Sequence, residues 1–418
     1  MRHHQPDRVV IINDRSERVG GASNLAVLSA ELIRERGIPV TYFAGDTIGA
    51  GIGTAEMVGV GGQPLVNQGK LTATIGGLYN QAAYDSLRTV IARTDSPGTI
   101  YHVHGWSKIL SPSIFRALWR VRSRVVLHAH DYFLSCPNGG YANYQSHRVC
   151  NLTPMSARCL TTQCDKRGYH EKVWRSTRHL IREHFFPTRY TPANIVIVHQ
   201  HMHEYFTRAG INAEYIRTIR NPVEPFLQAP PSPAANKPFF FIGRLEPEKG
   251  FEDAAKAARL ANVPLHVIGD GAGRAVLERD YPEVVLHGWK NKDEIAALVT
   301  AARCIVISSR VPEPFGLAAV EAVASGIPVI IPQAALLARE IAELGCGLPF
   351  ENGNIAALAA AMTRLAGDDA MVRAMSENCL RQRSSMAHTS LSWAEALFEL
   401  YDEILERAHP GQQAALAG

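Results

Sequence analysis

The stretch Phe239-Phe240-Phe241-Ile242-Gly243-Arg244-Leu245-Glu246-Pro247-Glu248-Lys249-Gly250-Phe251 sets the fold. Four consecutive apolar residues make a short run typical of a strand buried on both faces. A glycine turn ends it, and Lys249-Gly250 stands at the head of a helix expected over Phe251–Leu260. The alternation continues downstream. Strands are predicted at Leu265–Ile268, Val284–Leu286, Cys304–Ile307 and Val329–Ile331, and helices at Asp293–Thr300 and Leu317–Ala324. Upstream, Val9–Ile12, Val40–Phe43, Thr99–Val103, Val125–Leu127 and Ile195–Val198 read as strands. Leu25, Leu28, Leu32 and Ile33 recur at helical spacing after the first of them. Strands alternating with helices imply parallel, doubly wound sheets.

With 418 residues the chain has room for two such domains of about 200 residues each. The expected organisation is a first domain over 1–220, a linker over 221–238, a second domain over 239–390 and a C-terminal helix in 391–418 that packs back on the first domain. Pro222, Pro225, Pro230, Pro231 and Pro233 suit an extended connector. The tail carries Trp393, Leu397, Leu400, Tyr401, Ile404 and Leu405 on one helical stripe. Residues 132–170, rich in Gly, Asn, Tyr and Cys, break the alternation and read as a long loop inserted in the first domain.

A composition of 46% hydrophobic and 20% charged residues is that of a globular protein, and no apolar run reaches the length of a membrane span. Met1-Arg2-His3-His4 leads through Arg8 into the first strand without an apolar signal region, so the expected location is cytoplasmic. Residues 1–230 hold 26 Lys and Arg against 16 Asp and Glu, a net of +10. That excess suits either an anionic partner or a plain solvated face. Lys172, Arg175, Arg178 and Arg182 mix with Trp174, Leu180, Ile181, Phe185 and Phe186 in a basic, aromatic-bearing helix that suits either an ordinary surface helix or one lying on an anionic membrane surface, at the inner face of the cell membrane.

The chemistry concentrates in Glu313-Pro314-Phe315-Gly316-Leu317-Ala318-Ala319-Val320-Glu321. Ligands of open α/β sheets sit beyond the carboxyl ends of the strands, where this segment begins. The Gly316-Leu317 amides at a helix start can hold a phosphate. Arg244 can fork onto phosphate oxygens, and Lys249 adds a compact charge. Glu313 at the loop can accept from sugar hydroxyls, and Glu321, about two turns into the helix, from ribose hydroxyls.

Taken together these pieces resemble the GT-B-fold retaining glycosyltransferases of the group-1 type, also called family 4. The matching segments are Gly243-Arg244-Leu245 with Lys249-Gly250, the turn Ile268-Gly269-Asp270-Gly271, the Glu313–Glu321 unit and Ala322-Val323-Ala324-Ser325-Gly326-Ile327-Pro328-Val329. Asn221-Pro222-Val223 is similar to the family's Asn-Gly-Val turn, with Pro in place of Gly. The resemblance is tight over the second domain and loose over the first. It implies two Rossmann-like domains facing across a cleft. It also implies transfer of a sugar from a nucleotide-diphosphate-sugar donor to a glycan or polyprenyl-linked acceptor, with retention and without a catalytic metal, in polysaccharide or lipopolysaccharide synthesis. Glu313, His130, Arg244 and Lys249 are then the catalytic candidates. Gly20, Gly21, Gly243, Gly269, Asp270, Phe315, Gly316, Leu317 and Glu321 join Arg244 and Lys249 on the donor side. His130-Asp131 resembles the family's His-Asp motif, with His130 donating to the transferred sugar or positioning the acceptor. Asp131 and Asn138 fall on the acceptor side. For Gly20-Gly21 the alternative is a plain strand-to-helix turn, and turn chemistry explains Asn138-Gly139-Gly140 as well as an acceptor contact does.

Other readings stay open. A GT-B nucleotide-sugar epimerase needs no acceptor, and a phosphorylase needs a pyridoxal-binding lysine for which no motif stands out. A dinucleotide oxidoreductase would rest on Gly49-Ala50-Gly51-Ile52-Gly53, but Thr54 stands where the fingerprint wants Gly. A carbohydrate-binding protein without catalysis is a third class, whereas nucleic acid is not an expected partner. Cys136, Cys150, Cys159 and Cys164 lack a Cys-x2-Cys pair, so structural zinc or another structural metal, free thiols and disulfides all stay open. His102, His104, His128 and His130 invite a metal reading, but no carboxylate pattern accompanies them.

Overall fold

The computed structural model describes residues 5–49, 52–53 and 55–408. Met1–His4, residues 409–418, and Ala50, Gly51 and Thr54 of the glycine cluster lie outside the described residues. The chain divides into two compact units: Met1–Gly139 with Leu152–Ile219 and Ser390–Gly418, and Gly140–Asn151 with Arg220–Thr389.

The first unit is built on a seven-stranded parallel sheet. Its strands are β1 (Arg8–Asn13), β2 (Val40–Ala44), β3 (Glu56–Gly59), β4 (Thr99–Val103), β5 (Val125–Ala129), β8 (Asn194–Ile197) and β9 (Ile216–Thr218), in the order β3-β2-β1-β4-β5-β8-β9. The residues of β1 after Arg8, and all of β2, β4 and β5, are buried, which is why each reads as an apolar run rather than an alternation. The helix Ser390–Ala408 returns to this unit. Trp393, Leu397, Leu400, Tyr401, Ile404 and Leu405 join Val9, Ile11, Ile100, Val126 and Val196 in one core.

The second unit carries a six-stranded parallel sheet. Its strands are β10 (Phe239–Ile242), β11 (Leu265–Ile268), β12 (Val285–Gly288), β13 (Cys304–Val306), β14 (Val329–Pro332) and β15 (Gly347–Phe350), in the order β12-β11-β10-β13-β14-β15. The order reverses beside β10, so the carboxyl ends of β10 and β13 flank a topological switch point, where open α/β sheets bind ligands.

Two segments differ from expectation. Proline content predicts an extended connector over 221–238. Instead, Phe226 and Leu227 are buried, and the Leu227 amide donates to Ser325 Oγ at 3.2 Å. Arg383 Nη2 donates to the Leu227 carbonyl at 2.9 Å, so the segment folds as part of the second unit. The 132–170 stretch is not one structureless loop. It contains a hairpin of β6 (Ala142–Asn143) and β7 (Arg148–Val149) and a short helix, Ala157–Thr161. Its residues 140–151 group with the second unit and the rest with the first.

The basic helix, Tyr169–Phe185, is the reverse of the expected one. Lys172, Arg178 and Arg182 are buried. Arg178 donates to the Ser107 carbonyl at 2.7 Å and Arg182 to the Leu134 carbonyl at 2.5 Å. Arg175 pairs with Asp165 at 2.5 Å. Tyr169, Val173 and Leu180 face outward instead. The cations serve the irregular 132–170 segment and its surroundings, whose buried carbonyls and carboxylate need donors; they do not form an anion-binding stripe.

Candidate active site

In the second unit the switch point is assembled by close backbone approach. The Gly243 amide donates to the Ile268 carbonyl at 3.0 Å and Leu245 to Asp270 at 3.0 Å, which ties the loops after β10 and β11 together. Gly250 has φ +69°, and a Cβ there would lie 1.9 Å from the Ser308 carbonyl oxygen. Only glycine fits this position. Ser308 Oγ then donates to the Gly250 carbonyl at 2.8 Å, fixing the Lys249-Gly250 turn beneath the end of β13.

So placed, Lys249 Nζ donates to Glu313 Oε1, and Ser309 Oγ donates to the same oxygen. Burial pushes the Glu313 carboxyl up, but the Lys249 charge and hydrogen bond, Ser309 and the Arg244 charge outweigh it, and its pKa falls below the ordinary value. Glu313 is therefore an ionised acceptor held beside a cation. Gly316, at φ +67°, caps the helix Leu317–Ala324, and a Cβ on it would stand 3.6 Å from Glu313 Oε2. Lys249, Glu313 and the helix start thus form one constellation. Arg244 is largely exposed, bonded to Glu246 at 2.5 Å. Asp270 is exposed, with Oδ1 accepting from the Gly271 amide at 2.7 Å. Phe315 is buried in the core, leaving only its main chain for a ligand. Glu321 lies in the second turn of the helix, where burial, opposed by Lys292, raises its pKa to about 7.

No sequence motif marks Ser308 and Ser309. Their position directly after β13 was the available signal, because residues at carboxyl strand ends face the ligand in such folds.

The first unit holds Gly20, Gly21, His130, Asp131 and Asn138. Gly20 has φ +80° ahead of the helix Gly21–Glu35, with open space where a Cβ would stand. Asp131 is exposed, and its Oδ1 accepts from the Phe133 amide at 2.9 Å. Asn138 is buried. Its Oδ1 lies 3.1 Å from Cys136 Sγ and its Nδ2 3.3 Å from Cys164 Sγ, so it is engaged with thiols instead of standing open to an acceptor.

The parallel register of β4 and β5 sets four histidines in a grid. His102 and His104 come from β4 and its end, His128 and His130 from β5 and its end, with ring centroids 4.2–5.3 Å apart. Ser29 Oγ gives its one proton to the Ala26 carbonyl at 2.8 Å, so it accepts from His104 Nε2 at 3.3 Å. His104 Nδ1 is then an acceptor and takes the His130 Nε2 proton at 3.0 Å. His130 is left with Nδ1 as a bare acceptor, which has no protein partner and is buried. In this tautomer Nδ1 accepts and does not donate, contrary to the donor role expected for His130. On the other side Tyr401, kept protonated by burial, donates to His102 Nδ1 at 2.6 Å, and His102 Nε2 lies 3.1 Å from His128 Nδ1. Burial lowers the pKa of all four rings, to about 3 for His102 and His130. Although His102, His104 and His128 bring ligand nitrogens within 4.8 Å of one another, hydrogen bonds between neutral rings already account for the grid. His104, His128, His130 and Asp131 line a small recess in this unit.

Residues 224–382 match the family model of the glycosyl transferases group 1, and this match takes in the whole Lys249–Glu313–Gly316 constellation. The chain carries a group-1 glycosyl transferase domain on a GT-B fold. The fold is that of sucrose-phosphate synthase from Thermosynechococcus elongatus, with a TM-score of 0.70 at 18% identity over 96% of this chain and 100% of that one. It is also that of Anabaena HepE, solved with UDP, with a TM-score of 0.67 at 17% identity over 95% and 100%. By sequence, the GDP-mannose-dependent alpha-mannosyltransferase of Mycolicibacterium smegmatis is 31% identical over 168 residues, 40% of this chain and 43% of the relative. The match spans less than half the length of that curated relative. All of the donor-side residues expected in the second half lie within the group-1 domain.

Proposed function

We propose that this chain is a retaining glycosyltransferase that moves a hexosyl group from a nucleotide-diphosphate-sugar to a glycan or polyprenyl-linked acceptor, in polysaccharide or lipopolysaccharide synthesis. The observation that carries the reading is the Lys249–Glu313 pair, with Ser309 on the same carboxylate, set at the Gly316 helix start within a group-1 domain. Lys249, Arg244 and the Gly316-Leu317 amides supply positive potential where a diphosphate leaving group gains charge. Such preorganised electrostatics is usually the largest catalytic contribution. In this reading Glu313 accepts from hydroxyls of the transferred sugar and Glu321 from the ribose. Gly20, Gly21, His130 and Asp131 act from the first unit, His130 through its Nδ1 acceptor. Retention follows from the resemblance, with the leaving phosphate oxygen taking the acceptor proton, so no side chain is assigned as general base. The neighbours' names supply two donor nucleotides to test, GDP from the mannosyltransferase relative and UDP from HepE.

Thermal-shift titration of the full chain with UDP, GDP, ADP and dTDP, with and without EDTA, tests this. One diphosphate at 100 times its dissociation constant is expected to add about 2.7 kcal/mol of apparent stability, unchanged by chelator and absent from Lys249→Met. A shift from nicotinamide dinucleotides, or from no diphosphate, sinks the reading.

A further inference from the structure

The Tyr169–Phe185 helix buries a lysine where the sequence leads one to expect none. Lys172 is 1% exposed, and its ammonium meets two sulfurs, Cys159 Sγ at 3.4 Å and Cys164 Sγ at 3.3 Å, and among the described residues it forms no ion pair with a carboxylate. A buried ammonium requires a counter-charge, and thiols become one only as thiolates. Cys164 also receives Asn138 Nδ2 at 3.3 Å, so two N–H donors converge on one sulfur. The same Asn138 reaches Cys136 through Oδ1 at 3.1 Å, which brings the third thiol to the group. Cys136, Cys159 and Cys164 are all buried, and none of the three is in a disulfide. Around them the chain has little regular structure of its own: two-residue strands and a five-residue helix. A segment of that kind holds its shape only if something staples it.

We infer that Cys136, Cys159 and Cys164 bind a divalent, thiophilic cation of the zinc class, and that Lys172 and Asn138 are its supporting donors. Three thiolates fill three corners of a tetrahedral site. The cation and the sulfurs together present net negative charge, which balances the Lys172 ammonium. N–H donors aimed at metal-bound sulfur are the usual second layer of such sites. As a thiol, Cys136 donates its proton to Asn138 Oδ1; that hydrogen bond is given up when the sulfur binds the cation, and Asn138 keeps its donor contact through Nδ2 to Cys164. Binding replaces S–H by S–metal and releases the thiol protons to solvent, with no oxidation or reduction. The site is structural in this assignment and stands whether or not the transferase reading does.

Metal content of the purified full-length chain tests it. About one zinc per chain is expected after dialysis, released on titrating the thiols with a mercurial and lost from Cys159→Ser and Cys164→Ser. Should those variants fail to fold, cobalt substitution of the wild type gives a second readout: intense sulfur-to-cobalt charge-transfer bands and tetrahedral ligand-field bands. Lys172→Met, which keeps the length and removes the charge, is expected to hold zinc 10–100-fold more weakly. A natively folded chain without metal, whose thiols react freely with a disulfide reagent, overturns the assignment. So does a zinc content that the cysteine variants leave at one per chain, or a cobalt spectrum without sulfur bands.

Discussion

Glu321 shows how a single residue can be kept at a cost. Its carboxyl is held by burial at a pKa of about 7 against an ordinary value near 4.5. Between those values the native state holds a proton that the unfolded chain has released, so stability falls as pH rises through the window and levels off above it. Glu321→Gln removes that dependence. Thermal melts are expected to show the variant more stable than wild type by on the order of 2 kcal/mol at pH 8, with the gap closing towards pH 5. Under the proposed function the same change weakens nucleotide diphosphate binding, a trade of stability for a site. A variant melting below wild type at pH 8 would contradict the buried, strained carboxyl. Glu313 is the opposite case, since the Lys249 ammonium, the Ser309 hydroxyl and the Arg244 charge hold it ionised.

At the scale of elements, the turn between β10 and the helix Phe251–Ala261 depends on a backbone contact that no side chain could tolerate. Gly250→Ala would set a Cβ 1.9 Å from the Ser308 carbonyl at a left-handed φ, whereas Gly20→Ala meets only the φ penalty, with nothing within 4 Å. Denaturant unfolding should separate the two. Gly20→Ala is expected to cost on the order of 1–3 kcal/mol, because φ +80° with ψ 171° is a conformation that residues with a Cβ rarely adopt, and Gly250→Ala clearly more, because there a backbone clash is added and β13 and the Lys249 loop must part. Equal costs would mean that the loop relaxes and does not hold Lys249 rigidly. Both glycines stand in similar strand-to-helix turns in the sequence, yet only one is braced by a neighbouring strand.

For the molecule as a whole, several large apolar side chains stand exposed to solvent. No helix among the described residues is long and apolar enough to cross a membrane. The helix Lys70–Leu78 exposes Leu71 and Ile75, and the adjoining Tyr169–Phe185 helix exposes Val173 and Leu180. The two are joined by Trp174 Nε1 donating to the Thr74 carbonyl at 3.0 Å. We propose that these side chains seat the first unit at a bilayer interface, by apolar insertion in place of the cation stripe expected from composition. The chain is expected to float with vesicles of zwitterionic lipid, and Leu71→Asp with Leu180→Asp to abolish flotation without lowering the melting temperature. Binding that requires anionic lipid and survives both substitutions would return the contact to the surface charges.

The sequence alone determined the two parallel doubly wound sheets, because a strand buried on both faces must be a continuous apolar run, as in Phe239–Ile242 and Val9–Ile12. It also located Lys249-Gly250 and Glu313–Gly316, the segments that meet at the switch point, because each is set by one local turn. Tertiary structure alone decided what depends on neighbours distant in the chain. Ser309 joins Glu313 and Lys249 only because β13 lies beside β10. The tautomer of His130 is settled by Ser29, some hundred residues earlier and two hydrogen bonds away. Lys172, Arg178 and Arg182 turned inward for the same reason. A helical periodicity tells which residues share a face, but the side that is buried is chosen by the carbonyls, carboxylate and thiols that fold against it, and these come from other parts of the chain.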